Sequence, residues 1–92
     1  MTKAVYSIGS NNITKKLEGK RALSILNKYF DGLTAFEVRG VWKGTPEKTL
    51  RVEVLTDKSH KSLRQIAHEV AMELHQEAVL LEFSRPMIEF VK

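Results

Sequence analysis

Apolar and polar residues alternate along four stretches of the chain and fall at helical spacing along two others. Residues 3–8 alternate imperfectly, with Val5, Tyr6 and Ile8 as the apolar positions, and Gly9-Ser10-Asn11-Asn12 closes the run. This predicts a first strand. Ala22, Leu23, Leu26, Tyr29 and Phe30 then recur at i, i+1, i+4, i+7 and i+8, one apolar stripe along a helix. Gly19 leaves the start of that helix open between Thr14 and Lys20. Asp31-Gly32 ends it, with Gly32 suited to a left-handed C-terminal cap.

Residues 34–43 alternate again. Phe36, Val38 and Trp42 share one parity, expected to be the core side, and Glu37, Arg39 and Lys43 the other. Gly44-Thr45-Pro46-Glu47 supplies turn chemistry. Residues 48–56 alternate in their turn, with Leu50, Val52 and Val54 opposite Arg51 and Glu53. Two such runs joined by a short Gly/Pro turn predict an antiparallel hairpin with one wet face.

Ser59 or Ser62 can cap the second helix, and Ser62 with Gln65 fits a capping box. Its stripe is Leu63, Ile66, Ala67, Val70 and Leu74. Residues 78–83 then read as a strand. Ser84-Arg85-Pro86 breaks it, because proline cannot donate to a ladder, and residues 87–91 resume it.

The order is β-α-β-β-α-β with the last strand split. That is a ferredoxin-like α+β plan, with both helices on one face of an antiparallel sheet. Residues 1–92 carry no internal repeat or linker, so they read as a single domain. Val41, Leu55, Val79 and Leu81 are candidates for the second face of the sheet. Clustered there, they would favour a homo-oligomer.

Charge narrows the choice of partner. Fifteen Lys and Arg against 11 Asp and Glu leave a formal net charge of +4. Such a balance favours anionic ligands, yet falls short of the basic stripe of a dedicated duplex-DNA binder. The chain has no cysteine, which excludes disulfide staples and favours a cytoplasmic setting. No apolar run approaches the roughly 20 residues of a spanning helix, so no membrane role is expected.

Three strings carry candidate chemistry. Ser10, Asn11 and Asn12 lie between a strand and a helix, where backbone N–H groups attract anions, and Lys15 and Lys16 follow. In Arg39-Gly40-Val41-Trp42-Lys43-Gly44, a ring beside cations can stack a base while Arg or Lys holds a phosphate. Arg51 shares the parity opposite the apolar residues of its own strand. The expected ligand-binding set is therefore Ser10, Asn11, Asn12, Lys15, Arg39, Trp42, Lys43 and Arg51.

Catalytic signatures are absent. There is no P-loop, no G-x-G-x-x-G, no nucleophile elbow and no His-Glu-x-x-His string. His68, Met72 and His75 share a helix flank but fall short of a metal-ligand set. Glu69, Glu73 and Glu77 read as an acidic ridge facing water. No cofactor or metal is expected.

Most of the chain resembles a small bacterial domain family of unknown function. The likeness rests on Phe30-Asp31-Gly32-Leu33-Thr34, Gly40-Val41-Trp42-Lys43, Gln76-Glu77-Ala78-Val79-Leu80 and Ser84-Arg85-Pro86. It implies the same fold and no particular activity. The segment Tyr6-Ser7-Ile8-Gly9-Ser10-Asn11 is also similar to the opening strand of the hydroxymethyl-dihydropterin pyrophosphokinases. Their magnesium chemistry needs paired aspartates, whereas Asp31 and Asp57 here each sit in a turn.

The sequence thus predicts a non-enzymatic binding module for an anionic, nucleotide-like small molecule. A phage or mobile-element accessory protein that sequesters or inhibits fits its size. The alternatives are an inhibitor of a host protein target and a nucleic-acid binder using the sheet face. The second is less favoured, since Glu and Arg stand where such binders carry aromatics.

Overall fold

The structure, a computed structural model, describes residues 1–91, the Trp42 side chain excepted. Six elements follow one another: β1 (Thr2–Ile8), α1 (Gly19–Leu26), β2 (Thr34–Trp42), β3 (Thr45–Thr56), α2 (His60–Glu73) and β4 (Leu80–Ser84). The strands form one antiparallel sheet in the order β2-β3-β1-β4, the ferredoxin-like arrangement. Both helices pack on one face, and the other is open.

The register decides which side chains are buried. Ala4, Tyr6 and Ile8 of β1 lie opposite Val54, Val52 and Leu50 of β3 and face the helices. Ala22, Ile25 and Leu26 of α1 and Leu63, Ile66 and Val70 of α2 close over them. Each large apolar side chain buried this way contributes about 1.5–3 kcal/mol relative to exposure. The Tyr6 ring is fully buried, and its hydroxyl donates to the Leu63 carbonyl at 3.0 Å. Burial pushes the Tyr6 phenol well above the ordinary tyrosine range.

On the open face Val5, though outside the core, is also buried. Charged residues roof it. Glu53 and Glu82 flank Val5 on either side. Lys3 Nζ lies 3.3 Å from Glu53, and Arg51 reaches Glu53 at 3.7 Å and Glu82 at 3.5 Å.

Several elements differ from the sequence reading. α1 stops at Leu26, and Phe30 reaches the core from a succession of turns in which the N–H groups of Tyr29 and Phe30 both donate to Leu26. Gly32 has no left-handed backbone; among the described residues that region holds only Lys15, Lys43, Gly44 and His75. The hairpin turns at Lys43-Gly44, two residues with φ of 50° and 77°, as a type I′ connection requires. β3 therefore starts at Thr45 and takes in Pro46. β4 ends at the expected break, and residues 85–91 do not resume as a strand.

The parity of β2 is also reversed. Phe36 pairs with Arg51 and Val38 with Thr49, so both lie on the open face, and Phe36 is 41% exposed. The core side is carried instead by Ala35 of β2 and by Leu33 just before the strand. The alternation alone could not reveal this, because β2 outruns the helices and has little core to face. Leu55 and Leu80 lie exposed on the open face, whereas Leu81 and Val79 pack against the core.

α2 starts on Ser59, whose Oγ accepts the Ser62 N–H at 3.1 Å. It ends with His75 in the left-handed region, φ 51°. There the N–H of Gln76 donates to the Ala71 carbonyl and that of His75 to Met72, a Schellman closure without the usual glycine.

Candidate functional site

A notch opens where β3 outruns β1. Pairing between those strands ends at Ile8 opposite Leu50, so residues 45–49 of β3 have β2 on one side and no strand on the other. In the antiparallel alternation set by the Trp42–Thr45 pair, Pro46 and Lys48 turn their backbone groups toward the strandless side. Pro46, with no N–H, is tolerated there for that reason.

Residues 9–18 form the second wall. Asn11 builds it. Its Oδ1 accepts the N–H groups of Ile13 at 2.7 Å and Thr14 at 3.1 Å, and its Nδ2 donates to Glu18 Oε1 at 2.6 Å. The main chain closes the loop, with Asn11 N–H donating to Lys16 and Lys15 N–H to Asn11. The left-handed φ of 63° at Lys15 lets the chain turn back. Asn11 is 3% exposed, so it shapes the loop from inside. Of the range left open by the sequence, Thr14 to Lys20, the later end is the one realised: α1 begins at Gly19, with Glu18 as its N-cap, so the 9–18 loop precedes the helix.

Residues 76–78 form the third wall. Gln76 Nε2 donates to the Ser10 carbonyl at 2.5 Å, and Asn12 N–H donates to the His75 carbonyl at 3.2 Å. Lys43 Nζ donates to Glu77 Oε1 at 2.7 Å, tying the hairpin turn to this wall.

Two adjoining cavities result. One, about 270 Å³, lies on the open-face side against Val38, Gly40, Val41, Ala78 and Leu80. The other, about 860 Å³, is rimmed by Lys15, Lys16, Lys43 and Lys48, with Glu37 among them. Ser10, Asn12, Glu47 and Glu77 border both. Together they offer an apolar recess, hydrogen-bonding groups and charges of both signs, the composition of a small-molecule site.

Of the sequence-predicted set, Ser10, Asn11, Asn12, Lys15 and Lys43 meet at this notch. Arg51 lies outside it, engaged with Glu53 and Glu82 on the open face. Arg39 lies on the opposite face from Arg51, since the partner of Arg51 is Phe36 and not a residue of Arg39's parity. The two arginines therefore point away from each other, and neither borders the notch. Trp42 ends β2, and its side chain lies outside the described residues. Glu47, which the sequence reading placed in a turn, borders both cavities. The signal that could have found it was Pro46, which marks a strand edge without a partner.

A separate polar cluster was also missed. The Tyr29 hydroxyl donates to Glu69 Oε1 at 2.5 Å, and Lys28 Nζ to Oε2 at 3.0 Å. These bonds hold the Glu69 carboxyl below its usual range and raise the Tyr29 phenol and the Lys28 ammonium above theirs. Glu69 thus joins the turns that follow α1 to α2 rather than facing water alone. Among the described residues no group of three His, Asp or Glu side chains is placed to hold a metal ion.

No protein-family model matches the chain, and no curated protein does. Among solved structures it is similar to a phage SAM lyase in its apo state. The two share 15% identity and a TM-score of 0.67 over 90% of this chain and 78% of the lyase chain. At that identity the likeness shows a common fold. No helix among the described residues is long and apolar enough to cross a membrane.

Proposed function

We propose that the protein is a binding module whose notch captures a nucleoside-like small molecule carrying an anionic group. The observation that carries this reading is the pair of adjoining cavities between the overhanging hairpin, the 9–18 loop and residues 76–78. The apolar recess beside Val38 and Leu80 suits a flat ring, and Ser10, Asn12 and Gln76 on its border offer hydrogen-bonding groups to the ring's edge. The lysine rim suits a carboxylate or phosphate. Because the fold is that of a phage SAM lyase, S-adenosylmethionine is the first ligand to test, and a phage accessory protein that sequesters it is the role in view. Glu53 and Glu82 on the open face disfavour nucleic acid there.

Isothermal titration calorimetry with S-adenosylmethionine, adenosine and ATP tests the proposal. An adenosyl ligand should bind saturably, and at 100 times its Kd should stabilise the fold by about 2.7 kcal/mol. Lys15→Ala with Lys48→Ala should weaken binding, whereas Arg51→Ala should leave it unchanged. Failure of all three ligands to bind, or loss of binding in Arg51→Ala alone, would overturn the reading. Chromatography of the same mixtures separates capture from turnover, since a sequestering protein returns its ligand intact.

A further inference from the structure

We propose that Glu47 selects a ligand with a positive charge at its centre, so that the notch discriminates a sulfonium from the neutral thioether of the same skeleton. This inference rests on the adenosyl reading above and names the feature of the ligand that this site reads.

Three observations converge on Glu47. It borders both cavities, so it stands where a ligand spanning them would have its middle. Its carboxylate lies over Gly9: a β-carbon there would collide with Glu47 Oε1 and approach Cδ to 3.0 Å and Oε2 to 3.1 Å. The bare backbone of Gly9 thus leaves the carboxylate room at the junction, whereas the space over Gly40 is taken by the Thr49 hydroxyl. Among the described residues, finally, the Glu47 carboxylate makes no hydrogen bond and no ion pair, although Lys15, Lys16 and Lys48 line the same notch. Glu77, by contrast, is engaged by Lys43.

A half-buried carboxylate with no partner is costly to desolvate when a ligand covers it. A neutral ligand seated across the junction would incur that cost without return, and an anionic one would add repulsion. A ligand with a cation there offsets the cost and gains attraction in a medium less polar than water. In S-adenosylmethionine the sulfonium lies between the adenosyl group and the amino-acid end. With the ring in the apolar recess and the carboxylate at the lysine rim, the sulfonium falls beside Glu47.

Calorimetry of the full chain with S-adenosylmethionine and with S-adenosylhomocysteine, its neutral thioether, tests this. The unaltered protein should prefer the sulfonium by about tenfold or more, as close charge pairs across interfaces allow. Glu47→Gln keeps the shape and removes the charge; it should erase the preference by weakening the sulfonium alone. Gly9→Ala should erode it too, by displacing the carboxylate while leaving Glu47 intact. Melting curves of both variants establish that they are folded. Equal affinity for the two ligands in the unaltered protein, or a preference that survives Glu47→Gln, would overturn the inference and leave the site reading standing. No binding of either ligand would overturn both.

Discussion

Tyr6 carries more of the fold than its single hydrogen bond suggests. The ring lies in the middle of the core and its hydroxyl is tied to α2, so burial disfavours ionising the phenol in place. Its raised pKa has a definite sign in stability. The unfolded chain releases this proton near pH 10, while the folded one holds it. Stability from this group is therefore complete below pH 10 and is lost as pH rises toward the folded value. Tyr6→Phe should cost about 1 kcal/mol at neutral pH, and should flatten the decline of Tm above pH 10 relative to the unaltered protein. His75 makes the opposite prediction. It closes the Schellman turn with a side chain in the left-handed region, which costs about 1 kcal/mol compared with glycine. His75→Gly should raise stability by that amount in a urea titration, provided the Asn12 contact to its carbonyl persists.

Elements were legible in the sequence where two signals coincided. Both strands of the hairpin, β1 and α2 combine apolar periodicity with turn or cap residues, and all four form, with β3 starting three residues earlier than expected. α1 had periodicity but no capping side chain at either end, so the stripe ran on through Tyr29 and Phe30 after the helix had ended. The hairpin was found but its turn misplaced. Gly-Thr-Pro-Glu reads as the turn, yet a two-residue connection with both residues at positive φ fits at Lys43-Gly44, and lysine gives little warning of that conformation. The consequence reaches the site, because the shift places Glu47 in a strand at the notch. Asn11 was read as a ligand contact because it is polar and near a strand end. Its role in holding its own loop depends on the 11–16 backbone, which periodicity does not describe.

At the scale of the whole molecule, the sequence foresaw a ferredoxin-like sheet but not where it would leave a gap. Strand lengths decide that: β3 has 12 residues and β1 has 7, so the hairpin overhangs and creates an inner edge without a neighbour. The expected cationic set was split by the same sheet, with Arg39 and Arg51 on opposite faces and Lys15 and Lys43 at the notch. An amide NMR titration of the full chain with S-adenosylmethionine tests the placement of function most directly. The account predicts saturable shifts at Ser10, Asn12, Glu47, Lys48 and residues 76–78, with the resonances of Arg51, Glu82 and Glu69 unmoved. Shifts centred on the open face or on the Tyr29–Glu69 cluster, or none anywhere, would contradict it.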